Sequence, residues 1–265
     1  MYRMFILLSV LTLLLFFQSA CNKENDPASS NNPQTGTLKI YLTDAPLAVF
    51  DSVNIIFSEV SAHIDSEWVT VQGDTMMVNL LDLGNGNTIV FGSADVPAGK
   101  YTQIRIKING AYVVVDGQKH PMDVPSGAQT GLKLGPQFTV AAGSTYELVV
   151  DFDVNRSVVI TGPPQNPGYK LKPHLRIMSM ALSGSISGTV TNPEHLPVAY
   201  ALQVADTVTS TYVDTLSGYF QLSFLPPGTY TVSIEDTLTP PQTAVLENVD
   251  VTAGADKDLG QITLQ

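Results

Sequence analysis

The sequence predicts an all-β chain: two antiparallel β-sandwich-type domains in tandem, behind a signal peptide and a flexible tether. Two observations carry this. Apolar and polar residues alternate with period two in run after run, which places alternate side chains on opposite faces of a strand. The 20 glycines and 17 prolines fall between those runs, at Pro97-Ala98-Gly99, Gly135-Pro136, Gly162-Pro163-Pro164 and Pro226-Pro227-Gly228, and such punctuation marks antiparallel hairpins. At 265 residues the chain is long enough for two cores, and with Cys21 as its single cysteine neither can contain a disulfide.

Residues 1–20 read as a lipoprotein signal peptide. Arg3 precedes the apolar stretch Phe5 to Phe17, which is too short for a spanning helix of about 20 residues. Ser19-Ala20 then leads into Cys21, the expected site of cleavage and lipidation, although Gln18 stands where a lipobox usually carries leucine. An export signal with an unmodified Cys21 is the alternative. Acyl chains such as palmitate on Cys21 would bury about 0.8 kcal/mol per methylene in the bilayer. Residues 21–36 are the tether. Its start, Asn22-Lys23-Glu24-Asn25-Asp26, resembles the sorting signal of surface-exposed lipoproteins of Bacteroidetes. The expected location is therefore the outer membrane, surface-exposed or periplasm-facing. The spacer Pro27 to Gly36 lacks apolar periodicity.

The first β-domain is read over 37–182. Leu38, Ile40 and Leu42 share one strand face, as do Ile104, Ile106 and Ile108, with Arg105 and Lys107 on the other. In Leu148 to Val154 the alternation puts Asp151 and Asp153 on an outer face, within reach of Arg105, Lys107, Lys170 or Lys172. Short helices are expected near Ala45 to Phe50 or around Asn79 to Leu83. Tyr41-Leu42-Thr43-Asp44-Ala45-Pro46, Leu80-Leu81-Asp82-Leu83, Gly99-Lys100-Tyr101-Thr102-Gln103-Ile104-Arg105, Pro125-Ser126-Gly127 and Asp151-Phe152-Asp153 follow one another as in the DUF4382 domain family. That resemblance implies no activity, since the family has none assigned.

The second β-domain is read over 183–265, after the junction Ser183-Gly184-Ser185-Ile186-Ser187-Gly188. Ser217-Gly218-Tyr219-Phe220-Gln221-Leu222 and Leu225-Pro226-Pro227-Gly228-Thr229-Tyr230-Thr231-Val232 are spaced as in the carboxypeptidase regulatory-like, transthyretin-like sandwiches, which this region resembles. Phe220, Leu222, Tyr230 and Val232 are the expected core.

The net charge is −11, with nine acids and one base in 183–265 against 13 acids and 10 bases in 37–182. Such a field repels phosphates, so nucleic acid is not an expected partner. Calcium is the one cofactor candidate, with Asp151, Asp153 and Asn155 as oxygen ligands at calcium-loop spacing. However, Arg156 replaces the loop glycine, and Gly162 stands where the final glutamate belongs. Lys170, Lys172 and Arg176 could form a cationic strip, interrupted by Pro173. HExxH and GxSxG are absent, and His63, His120, His174 and His195 lack ligand spacing.

These features lead to the expectation of a non-catalytic, lipid-anchored envelope protein that recognises a ligand, with carbohydrate first. Trp68, Tyr200 and Tyr212 are the candidate sugar platforms. A structural or adhesive role toward another envelope protein is one alternative. The other is a carboxylate-dependent hydrolase in 37–182, drawing on Asp44, Asp82, Asp116 and Asp123.

Overall fold

The computed structural model describes residues 34–45, 50–204 and 206–265. Cys21, the signal peptide and the tether as far as residue 33 lie outside the described residues, as does most of the segment expected to be helical near residues 45–50.

In chain order the first sandwich contains β1 (Thr35–Ala45), β2 (Ser52–Ile64), β3 (Glu67–Gln72), β4 (Met76–Asn79), β5 (Ile89–Pro97), β6 (Gly99–Val115), β7 (Gln118–Asp123), β8 (Leu132–Leu134), β9 (Phe138–Val140), β10 (Thr145–Asp153), β11 (Val158–Thr161), β12 (Gly168–Leu171) and β13 (Leu175–Ser179). The second contains β14 (Gly184–Val190), β15 (Val198–Gln203), β16 (Asp206–Tyr212), β17 (Tyr219–Leu225), β18 (Gly228–Glu235), β19 (Thr243–Val251) and β20 (Asp256–Ile262). The all-β expectation holds. A 3₁₀ turn at Leu80–Leu83, capped by the Asn79 side chain, occupies one of the two expected helical positions.

The period-two faces close into two separate cores. Leu38, Ile40, Leu42, Ile104, Ile106 and Ile108 are all fully buried in the first, around Phe57, whose ring meets Phe91 edge-on at 4.7 Å. Phe220, Leu222, Tyr230 and Val232 are buried in the second. At about 25 cal/mol per Å² of apolar surface removed from water, these faces dominate the stability of each sandwich.

The two sandwiches are built on one framework. In the first, one layer runs β3-β2-β6-β9 and the other β5-β1-β10; in the second, the corresponding orders are β16-β15-β18-β19 and β17-β14-β20. The central strand pairs in parallel with the last in both, β1 with β10 and β14 with β20. The match extends to single residues. Gly36 pairs with Val96 as Gly184 pairs with Leu225, and Gly99 pairs with Val140 as Gly228 pairs with Val251. Gly143 N–H donates to Thr35 O and Gly254 N–H donates to Ser183 O, both at 2.8 Å.

Close approach explains the paired glycines: a Cβ on Gly36 would lie 2.3 Å from Ala141 O, and one on Gly184 would lie 2.3 Å from Thr252 O. A paired tyrosine clamp closes the opposite layer. Tyr101 Oη donates to Pro97 O at 2.8 Å, and Tyr230 Oη donates to Pro226 O at 2.7 Å. Burial pushes both phenols above their ordinary pKa.

What distinguishes the first sandwich is what is added to this framework. β4 and the 3₁₀ turn enter before β5, while β7, the helical turn Ser126–Thr130 and β8 enter before β9. After β10 the chain continues through β11 and β12, and β13 then pairs antiparallel along β10.

Tyr101→Phe and Tyr230→Phe each leave a proline carbonyl without its donor, and each is expected to cost about 1 kcal/mol. Gly36→Ala and Gly184→Ala force a methyl against backbone and should each cost roughly 1–3 kcal/mol. Urea denaturation checks both pairs; a clear loss at one member with none at its counterpart would contradict the shared framework.

Candidate functional site

The acids that alternation assigns to a solvent face are buried instead. Asp151 is 4% exposed and Asp153 8%, because the second sandwich covers that face of β10. Their expected partners are also displaced. β10 lies between β1 and β13, away from Arg105 and Lys107 on β6, and Asp151 is opposite Arg176 in the β10–β13 register.

Arg176 Nη2 donates to Asp151 Oδ2 at 2.5 Å and Nε donates to the same oxygen at 3.2 Å. Its Nη1 crosses the seam to Phe224 O at 2.9 Å, and Thr209 Oγ1 returns from the second sandwich to Asp151 Oδ2 at 3.3 Å. Phe224 has φ +55, the left-handed region that a bulky side chain rarely adopts. A register shift between β14 and β17 accompanies it. This irregularity brings the Phe224 carbonyl to the guanidinium.

A second clasp is made by Asn85, also left-handed, in the turn after Leu80–Leu83. Its Oδ1 accepts from Thr211 Oγ1 at 3.0 Å and from Gln221 N–H at 3.1 Å. Arg156 adds a third link, its Nη1 donating to Thr207 O at 3.4 Å. The seam is thus polar, with the two apolar cores on either side of it.

Asp44 and Asp151 line a cavity of about 10 Å³ inside the seam, beside Thr43 and Ser223. Asp44 Oδ1 accepts from Val154 N–H at 3.0 Å. A groove of about 280 Å³ opens at the seam, lined by Asp153, Asn155 and Arg156 from the first sandwich and by Tyr200, Asp206, Thr207 and Ser210 from the second. Three residues singled out in the sequence therefore converge: Asp153, Asn155 and Tyr200. Asp151 does not join them.

Asp153 Oδ1 accepts from Arg156 N–H at 3.0 Å. Burial raises the Asp153 pKa above its ordinary value, reinforced by the charge of Asp151 and opposed by that hydrogen bond. Burial likewise raises Tyr200, with Glu235 and Tyr212 adding to the effect. Among the described residues, no group of three or more His, Cys, Asp or Glu side chains is arranged to hold a metal ion.

Trp68 and Tyr212 lie elsewhere. Tyr212 is opposite Val198 on β15, two residues from Tyr200. Trp68 is half-buried on β3, and the Arg105 guanidinium covers its ring at 4.3 Å. The lysine strip is divided, with Lys170 on β12 in one sheet and Arg176 on β13 in another. Asp82, Asp116 and Asp123 are exposed, whereas Asp44 is buried. Arg176, Thr209 and Asn85 were not singled out as seam residues, and the only local signal for any of them is the turn sequence Asn85-Gly86.

Two copies of one framework joined by a polar seam define a tandem β-sandwich protein. Its first and larger part identifies the family: the chain belongs to DUF4382, a domain of unknown function, matched over residues 35–173. Residues 185–265 match the carboxypeptidase regulatory-like domain. No curated protein matches the chain.

Among solved structures, the chain is similar to the Bacillus anthracis TIE protein, at 11% identity and a TM-score of 0.23, with 87% of this chain and 34% of that one covered. It thus spans about a third of that protein's length. It is also similar to GBS52, the minor pilin of Streptococcus agalactiae, at 12% identity and TM-score 0.23, covering 85% and 94% respectively. A third similarity is to the shaft pilin SpaA of Lactobacillus rhamnosus GG, at 11% and 0.21, covering 87% and 97%.

Arg176→Ala leaves Asp151 buried without its counter-charge and should cost about 3–5 kcal/mol in urea denaturation. Asp153→Asn should act in the opposite direction at neutral pH. A raised folded-state pKa means that ionised Asp153 destabilises the fold, and that penalty fades as pH falls through the raised value. The variant is therefore expected to be the more stable at neutral pH, with the difference closing toward the ordinary carboxylate range.

Proposed function

We propose that this chain is a non-catalytic binding protein of the bacterial envelope, anchored through lipid on Cys21, and that it recognises carbohydrate in the groove around Tyr200. The composition of the groove supports this reading. An aromatic side chain lies beside two carboxylates, an amide and a guanidinium drawn from both sandwiches. A tyrosine ring offers a face for sugar C–H groups, while the polar side chains exchange hydrogen bonds with hydroxyls. The polar seam fixes these groups relative to one another, which limits the ordering cost of binding.

A hydrolase would need two carboxylates flanking a substrate-sized cleft. Of the four acids named for a hydrolase, only Asp44 is buried, and it lines with Asp151 a cavity with room for about one water molecule. That geometry weighs against hydrolysis at this position. The envelope location rests on Arg3, the apolar stretch Phe5 to Phe17 and Cys21.

An array of neutral glycans probed with residues 34–265, one compact folded unit, is expected to give reproducible hits that Tyr200→Ala weakens roughly tenfold and Trp68→Ala leaves in place. Absence of hits, or hits indifferent to Tyr200→Ala, contradicts the groove as a glycan site. Metabolic labelling with a palmitate analogue, lost in Cys21→Ala, checks the anchor.

A further inference from the structure

The outer face of the first sandwich contains a basic cluster that the groove does not use. Trp68 on β3, His63 on β2, Arg105 and Lys107 on β6, and Lys133 on β8 come together there around one acid, Glu59. On a chain of net charge −11, three bases against one acid form a local reversal of sign.

Arg105 is held from several sides. Its guanidinium lies 4.3 Å from the Trp68 ring, its Nε donates to Ser61 Oγ at 3.2 Å, and its Nη2 donates to Glu59 Oε1 at 2.8 Å. Its stem runs against the backbone at Gly131, where a Cβ would lie 2.6 Å from Arg105 Cγ. On the far side of the cluster the His63 ring lies 4.9 Å from Trp68, and its Nδ1 is 2.8 Å from Thr102 Oγ1. The Arg105 side chain still keeps 21% of its surface exposed. Much of the entropy cost of fixing a long arginine is therefore met before any ligand arrives.

Glu59 does not neutralise the cluster. Its Oε1 accepts from Arg105 and Ser61, and its Oε2 accepts from Lys107 Nζ at 2.7 Å. Lys107 is the largest cause of the lowered Glu59 pKa. Lys133 is directly opposite Arg105 in the β6–β8 register, with its Nζ 5.8 Å from the same indole, and among the described residues it makes no salt bridge. Like charges directly opposite across a strand pair are destabilising, and an anion between them removes that cost.

We infer that the Arg105–Lys133 pair is a subsite for an anionic group, the carboxylate or sulfate of an acidic polysaccharide. Arg105 Nη1 and Lys133 Nζ supply the donors, and charge-assisted hydrogen bonds of this kind are among the strong ones. A nucleic acid or an anionic bilayer presents many charges at once to a chain whose overall field repels them. A polysaccharide can present one anionic group among neutral hydroxyls, which matches a patch this small. The inference shares the carbohydrate class with the groove reading but uses a different site.

The test measures binding of residues 34–265 to hyaluronate and to a highly methyl-esterified pectin, in which acidic groups are spaced among neutral sugars, with dextran, duplex DNA and phosphatidylglycerol vesicles as comparisons. The expected result is binding to at least one acidic polysaccharide that falls with added salt and drops about tenfold in Lys133→Gln, with thermal unfolding no lower than that of wild type. Tyr200→Ala should leave that binding intact. The inference is overturned if neither acidic polysaccharide binds, if Lys133→Gln binds as well as wild type, or if DNA or vesicles bind as tightly. Acidic-polysaccharide binding lost in Tyr200→Ala but retained in Lys133→Gln would support the groove and overturn this subsite.

Discussion

The contact between Asp151 and Arg176 determines how the two sandwiches meet. Asp151 is on the last framework strand of the first sandwich, on the face that the second covers, so an ionised carboxylate there requires a counter-charge inside the seam. Arg176 supplies it and uses its remaining nitrogen to reach the Phe224 carbonyl in the other sandwich. The left-handed backbone at Phe224 is a local cost accepted at this junction. With Asn85 and Arg156 tying the seam elsewhere, the groove lined by Asp153, Asn155 and Tyr200 becomes a fixed surface instead of a gap between independent domains.

The seam clasps of Arg176 and Asn85, and one side of the basic cluster, come from segments in which the two copies of the framework differ. The shared strands provide cores, the paired glycines at Gly36 and Gly184, and the tyrosine clamps. Arg176 is on β13, which follows the shared strands of the first sandwich. Asn85 follows the added 3₁₀ turn, and Gly131 and Lys133 are in the segment inserted between β6 and β9. Segments added to a packed scaffold need not fill a core, so their side chains are free to carry charge and recognition.

Much of the architecture was legible in the sequence because period-two alternation reports directly on burial. Leu38, Ile40 and Leu42, and equally Phe220 and Leu222, could be placed inward from their spacing alone. The acids could not be placed this way. Alternation says which residues share a face, and in β10 it correctly sets Asp151 and Asp153 apart from Leu148, Val150 and Phe152. It cannot say whether a second domain covers that face. The same limit applies to Trp68, whose covering by Arg105 depends on pairing between strands far apart in sequence. The shared framework was not read from the sequence, although Pro97, Gly99 and Tyr101 are spaced like Pro226, Gly228 and Tyr230. Three matching positions become convincing only when strand register shows that they occupy equivalent places.

A polar seam, centred on Asp151 and Arg176, joins the two copies of one framework into a single body. Residual dipolar couplings of the backbone amides in residues 35–179 and 184–264, measured in a weakly aligning medium, test it most directly. One alignment tensor is expected to fit both sets. Two tensors of different magnitude or orientation would show the sandwiches moving independently and would contradict it.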